Sequence, residues 1–161
     1  MSLILLRKAD KDDAAVLLEM YDSGNELFNA DDRTPGNREM FEEILSVDDV
    51  IIASMDNMEV GFISYNIKKD YTMIDSLYVL KNYQRQGVGK KLLDHCLNMG
   101  SDRQTKLYAL KVLKIAHWAI AFYLNNGFKI FESNSKVNQY NDILKGIPER
   151  NWSLLMYKIL D

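Results

Sequence analysis

Residues 77–91 read Leu77-Tyr78-Val79-Leu80-Lys81-Asn82-Tyr83-Gln84-Arg85-Gln86-Gly87-Val88-Gly89-Lys90-Lys91. An apolar, strand-like run enters a polar loop with two glycines. Val88, Leu92, Leu93, Cys96 and Leu97 then follow at helical spacing. Free N–H groups at a helix N-terminus bind anions, and glycine lets a phosphate approach the backbone closely. Residues 81–91 hold four bases, Lys81, Arg85, Lys90 and Lys91, and no acid, so side chains and backbone dipoles favour the same sign of ligand. The stretch reads as a phosphate or pyrophosphate site. A P-loop would need Gly and a hydroxyl residue where Gln84 and Lys91 stand, and a dinucleotide fingerprint would need Gly where Leu92 stands. Both nucleotide patterns fail at the residue that would act.

Working outward, strand 71–80 precedes this loop and helix 87–99 follows it, with Gly100 as its stop. Upstream, Leu3 to Arg7 form a strand, and Asp10, Asp12 and Asp13 open a helix over about 11–27. Asn25 to Arg33 read as a loop, and Thr34-Pro35 begins a second helix whose apolar face is Met40, Phe41, Ile44 and Leu45. Residues 50–67 form a hairpin about Asp56-Asn57. Downstream come strand 105–113, helix 115–125 ended by Gly127, strand 128–131, a polar connection over 133–146 and a final strand over 152–160. This mixed order indicates the α+β class, with strand 71–80, helix 87–99 and strand 105–113 forming a parallel crossover. At 161 residues, one domain spanning 1–161 is expected.

Gln84, Gly87 and Gly89 spell Gln-x-x-Gly-x-Gly after a strand, which resembles the acyl-CoA loop of the GNAT superfamily of N-acetyltransferases. Ala119 to Phe128 resemble that superfamily's Ala-x-x-Phe-Tyr-x-x-x-Gly-Phe helix and strand, at the expected place downstream. The resemblance implies a GNAT-like mixed, mostly antiparallel twisted sheet of about seven strands flanked by about four helices. Strands 71–80 and 105–113 would splay to admit the cosubstrate, acetyl-CoA. Main-chain groups of Leu77, Tyr78 and Val79 would meet the pantetheine arm. The loop opened by Gln84 would hold the pyrophosphate on backbone N–H groups of Arg85, Gln86, Gly87, Val88, Gly89 and Lys90. Tyr123 matches the superfamily tyrosine that faces the departing sulfur. Two positions depart from the pattern: Ala116 replaces a frequent Asn, and Lys111 stands where some relatives carry Glu.

The implied reaction is direct attack of an amine on the thioester. An alkyl ammonium of pKa ~10.4 lies ~3.4 units above pH 7, so freeing the amine costs roughly 4.6 kcal/mol. Asp75 is the candidate base, since it shares a strand face with apolar Met73, Leu77 and Val79, where a carboxylate's proton affinity rises. Glu43, another acid of helix 34–46 or a water chain are alternatives. Tyr123 would serve as general acid to the thiolate, and a bulge near Leu77 and Val79 would aim an N–H at the oxyanion.

Net charge is −3, but residues 1–60 carry 15 acids and 5 bases while residues 61–161 carry 8 and 15. The acidic region includes Asp22, Glu26, Asp31, Asp32, Glu39, Glu42 and Glu43 and favours a cationic acceptor, a small-molecule or peptide amine. Tyr21, Phe28 and Phe41 are candidates to line its pocket. The overall charge argues against nucleic acid. No apolar run is long enough to span a membrane, and no signal peptide is recognisable. The single cysteine, Cys96, fits a reducing compartment, so a cytoplasmic location is expected. Cys96, on the apolar face of its helix, reads as core. His95 and His117 form no metal-ligand spacing, so no metal is expected. Members of the superfamily often dimerise through C-terminal strands, so the resemblance implies a homodimer through strand 152–160. The alternative to an enzyme is a catalytically silent CoA-binding or interaction module.

Overall fold

Asp56 and Asn57 sit at φ of 55° and 62°, the two left-handed positions of a type I′ hairpin turn. In the computed structural model, which describes residues 2–32 and 35–161, this turn joins β2 (Asp49–Met55) to β3 (Met58–Ile67). Strand β1 (Ile4–Lys8) pairs antiparallel with β2, Ile4 opposite Met55. With β4 (Thr72–Val79), β5 (Leu107–Leu113), β6 (Lys129–Ile130) and β7 (Ser153–Ile159), the seven-stranded sheet has the order β1-β2-β3-β4-β5-β7-β6. Pairs β1–β2, β2–β3, β5–β7 and β6–β7 are antiparallel, and β4–β5 is parallel. This is the expected mixed α+β sheet. Among the described residues, the β4–β5 ladder covers Thr72–Ile74 against Tyr108–Leu110 and goes no further.

The chain divides into two compact units, Met1–Asn66 with Asp75–Cys96, and Ile67–Ile74 with Leu97–Asp161. In the first, α1 (Ala14–Gly24) and α2 (Arg38–Val47) turn Ala14, Leu17, Met20 and Phe41 onto Val50, Ile52 and Phe62 of the sheet. Single 3-10 turns at Lys11–Asp13 and Asn25–Leu27 flank α1, within the expected 11–27 helix. A second short turn spans Ala30–Asp32 inside the expected loop. Helix α2 begins later than Thr34-Pro35 implies: Asn37, extended at φ −140°, accepts a hydrogen bond from the Met40 amide at 2.9 Å. An Asn in that backbone conformation is a strong N-cap, and Thr34 lies outside the described residues.

In the second unit, Leu107, Ala109, Phe131, Val137, Leu144, Ile147 and Leu155 form the core. Helix α3 (Val88–Asp102) continues past the expected stop at Gly100. Gly100 serves packing instead, since a Cβ there would collide with the Tyr108 ring and hydroxyl. Tyr108 is buried and its hydroxyl donates to the Leu97 carbonyl at 2.6 Å. The left-handed residue past the helix is Gln104, φ 66°. Helix α4 (His117–Asn125) ends at Gly127, φ 87°, as expected. The 133–146 connection contains a fifth helix, α5 (Asn141–Lys145), with Leu144 fully buried. β7 lies between β5 and β6 rather than at an edge.

Candidate functional site

The loop after β4 is held by short local bonds. The Leu80 amide donates to the Val60 carbonyl at 2.8 Å, and the Tyr83 amide to the Leu80 carbonyl at 2.8 Å. Gly61 permits this approach, because a Cβ there would lie 2.7 Å from the Tyr78 carbonyl. The Gln84 side-chain amide donates to the Val79 carbonyl at 3.0 Å, tying the loop back to the strand end. Gln84 therefore positions the loop.

Arg85 (φ 61°) and Gly87 (φ 88°) then turn the chain into α3. A side chain at Gly87 would meet nothing within 4 Å, so the glycine answers to backbone conformation and leaves the turn uncovered. The Lys91 amide bonds the Gly87 carbonyl at 3.0 Å. As the first i→i−4 bond of α3, it leaves the amides of Val88, Gly89 and Lys90 ahead of the helix ladder, oriented for an anion. Val88 is buried and anchors the helix start. Lys91 reaches the Ile4 carbonyl at 2.9 Å, and Lys90 pairs with Asp94 at 2.9 Å. Lys81 and Arg85 remain as exposed charges on the loop.

A second feature of the same unit is an open cleft of about 160 Å³ lined by Tyr21, Met40, Phe41, Ile44, Asp75, Ser76 and Tyr78. Tyr21 meets Phe41 and Tyr78 edge-on, with centroids 5.6 and 5.3 Å apart, and Phe62 stacks on Tyr78 at 5.4 Å. Burial pushes the Tyr78 hydroxyl up, further from ionisation. The Ser76 and Ser64 hydroxyls are hydrogen-bonded. Of the three aromatic residues singled out in the sequence, Tyr21 and Phe41 line this cleft and Phe28 is not part of its lining.

Asp75 is exposed on β4 and lines the cleft. Asp48 is pushed up to about 7 by burial and by the nearby Asp75. Asn66 also bonds Asp48, which draws it down, and donates to the Val47 carbonyl at 3.2 Å. Asp48 closes the end of α2, its amide bonding the Ile44 carbonyl at 2.8 Å. The acids of helix 34–46 were the sequence alternatives to Asp75, and Asp48 lies just beyond them. The only signal was the pair Asp48-Asp49 between a helix and a strand, which reads equally well as a solvated turn.

In the second unit, Tyr123 is buried, edge-on to Phe122 at 5.4 Å and Phe128 at 5.5 Å. Ala116 occupies the N-cap of α4 without a side-chain cap. Lys111 is exposed on β5. In the first unit, burial pushes the Cys96 thiol up, away from any role as nucleophile. Among the described residues, no group of three or more His, Cys, Asp or Glu is placed to hold a metal ion. None of the described helices is long and apolar enough to cross a membrane.

Residues 46–130 match the family model described as Acetyltransferase (GNAT) domain. The chain belongs to the GNAT acetyltransferase family. A relative from Archaeoglobus fulgidus described as an uncharacterized N-acetyltransferase is 30% identical over 141 residues, covering 80% of this chain and 95% of that protein. The fold is also that of the PaiA N-acetyltransferase from Thermoplasma acidophilum, solved in complex with coenzyme A (TM-score 0.80, 18% identity, 98% of this chain and 99% of that one). A ribosomal-protein-alanine N-acetyltransferase from Brucella melitensis shares it too (TM-score 0.70, 23% identity, 97% and 99%). Family membership makes this GNAT protein an acyl-CoA-dependent N-acetyltransferase.

Proposed function

We propose that this GNAT protein transfers the acetyl group of acetyl-CoA to a primary amine carried on a cationic small molecule or peptide. The observation that carries this reading is the turn at Arg85–Gly87, whose left-handed residues present the first amides of α3 in a loop without acids. Gln84 to Lys90 would hold the pyrophosphate, and Leu77, Tyr78 and Val79 would lie along the pantetheine arm. The whole chain, 1–161, would act as one domain, in the cytoplasm, where a buried lone thiol fits a reducing medium.

Acetyl-CoA supplies the activated thioester. Asp75 takes a proton from the ammonium nitrogen. The freed lone pair forms the C–N bond to the acetyl carbon as the C–S bond breaks, and sulfur keeps that electron pair. Tyr123 passes its hydroxyl proton to the sulfur and regains one shed by the new amide nitrogen. The acceptor enters the aromatic cleft, where ring faces and the Asp75 carboxylate both favour a cation. Asp22, Glu39, Glu42 and Glu43 of α1 and α2 add to that field.

A homodimer would use exposed side chains such as Trp118 and Trp152, since β5 pairs along all of β7 and β6 already takes Met156 and Tyr157 on its other side. The test is calorimetry of acetyl-CoA binding, followed by mass spectrometry of an amine panel for the added acetyl group. Binding with transfer to cationic amines is expected. Binding without transfer to any amine would favour the silent module, and no binding would overturn the reading.

A further inference from the structure

We infer that the aromatic cleft selects a primary monoamine carrying one ring-sized apolar group close to its nitrogen, and that Gly24 and Gly36 set this preference by holding Tyr78 and Tyr21 in place. The inference rests on the acetyltransferase reading of the same cleft and narrows its acceptor class.

Two glycines from separate segments each lie against one of the two tyrosines that line the cleft. Gly24 is the last residue of α1 and sits at φ −63°, an ordinary helical value. Alanine would suit that backbone better, since glycine weakens a helix. What glycine spares there is space: a Cβ would lie 2.8 Å from Cδ1 of Tyr78. Gly36 stands just ahead of α2, and it too has no positive φ. A Cβ there would lie 2.9 Å from Cδ1 of Tyr21 and 3.1 Å from Cδ1 of Leu18. Both glycines therefore answer to a tyrosine ring rather than to a turn.

The rings so placed support one another. Tyr21 meets Tyr78 edge-on at 5.3 Å and Phe41 at 5.6 Å. Phe62 stacks on Tyr78 at 5.4 Å and meets Phe41 edge-on at 6.1 Å. Phe41 and Phe62 are buried, so the wall has a fixed backing. Met40 and Ile44 complete the apolar lining, and the Ser76 hydroxyl is engaged by buried Ser64. Among the described residues, Asp75 is the one charged side chain of the lining.

Size and charge then grade the acceptor. An apolar cavity of ~150 Å³ takes one benzene ring, and this cleft offers about 160 Å³. One ring fits, whereas a fused pair of rings exceeds the space. One carboxylate answers one ammonium, and a second ammonium on the same molecule finds no second carboxylate in the lining. The acids of α1 and α2 outside the lining attract any cation. The lining selects by the body attached to it.

The test compares KM and kcat with acetyl-CoA for propylamine, 2-phenylethylamine, 2-(1-naphthyl)ethylamine and spermidine. In the wild type, 2-phenylethylamine should have the highest kcat/KM, by ~10-fold or more over each of the others. In Gly24→Ala and Gly36→Ala that preference over propylamine should collapse, through a higher KM for 2-phenylethylamine, while kcat and KM for propylamine change little. Tyr78→Phe keeps the ring and should keep the preference. Ile44→Ala widens the cleft and should raise kcat/KM for the naphthyl amine relative to the phenyl amine.

Equal losses for both amines in the glycine variants would show general damage to the fold and overturn the role given to Gly24 and Gly36. Should those variants fail to fold, the wild-type panel and Ile44→Ala still decide the cleft's selectivity. A wild-type preference for propylamine, the naphthyl amine or spermidine would overturn the inference while leaving the acetyltransferase reading intact. Absence of acetyl-CoA binding and of transfer to any amine would overturn that reading itself, so the two failures are separable.

Discussion

The proposed donor loop and the proposed acceptor cleft occupy the same unit of the chain but are built in opposite ways. The loop at 84–90 is continuous in sequence, and its working groups are backbone amides whose direction follows from Arg85, Gly87 and the start of α3. The cleft gathers α1, α2 and β4, and its working groups are side chains whose properties depend on neighbours far apart in the chain. Backbone devices tolerate changes of side chain, whereas a cleft lined by side chains does not. Substitutions should therefore separate the two regions, one losing the cosubstrate and the other losing the chemistry.

The largest effect is expected at Asp75. Asp75→Asn removes the base, worth ~10²–10⁴-fold in kcat, while acetyl-CoA affinity by calorimetry stays at the wild-type value. A matching loss of affinity would break the separation. Tyr123→Phe should lower kcat by ~10²-fold through the missing general acid. Its melting temperature should move little, since the buried ring keeps its contacts with Phe122 and Phe128. An unchanged kcat would leave Tyr123 as a core aromatic.

Gly87→Ala addresses the loop. Forcing an L side chain to φ 88° costs ~1–3 kcal/mol, which should appear as ~5–150-fold weaker acetyl-CoA binding if the turn relaxes. KM for the amine should not change.

The smallest effect is in stability. Asp48 has its folded-state value raised to about 7 from 3.8, so the folded chain holds a proton that the unfolded chain has released. Its contribution is fully present below about pH 4 and is lost as pH rises through 7. Asp13 behaves oppositely: Arg7 grips it with two 2.8 Å bonds and draws it down, so its contribution is lost as pH falls below the ordinary carboxylate range. Urea melts should show Asp48→Asn flattening the pH 4–7 decline while leaving the acid-side loss intact.

How much of this was legible in the sequence follows the same division. The loop, the hairpin at Asp56-Asn57 and the end of α4 at Gly127 were readable because local backbone rules decide them. The start of α2 and the end of α3 were misplaced, since Asn37 out-competes Thr34-Pro35 as a cap and Gly100 answers to Tyr108 rather than to a helix terminus. Asp75 was legible as a candidate from its place on the strand, whereas the cleft it lines is gathered from helices far away in the chain. Nothing in the 133–146 connection marks α5 locally, where Leu144 becomes buried only through tertiary packing.

The placement of β7 between β5 and β6 carries a consequence for biosynthesis. A ribosome makes β5 well before the strand that covers its flank, so the nascent chain displays an unsatisfied, apolar sheet margin in the interval. Chaperone dependence and inclusion-body formation should therefore respond more to changes in Leu154–Met156 than to equally buried positions of the β2–β3 hairpin, which closes on itself as soon as it is made.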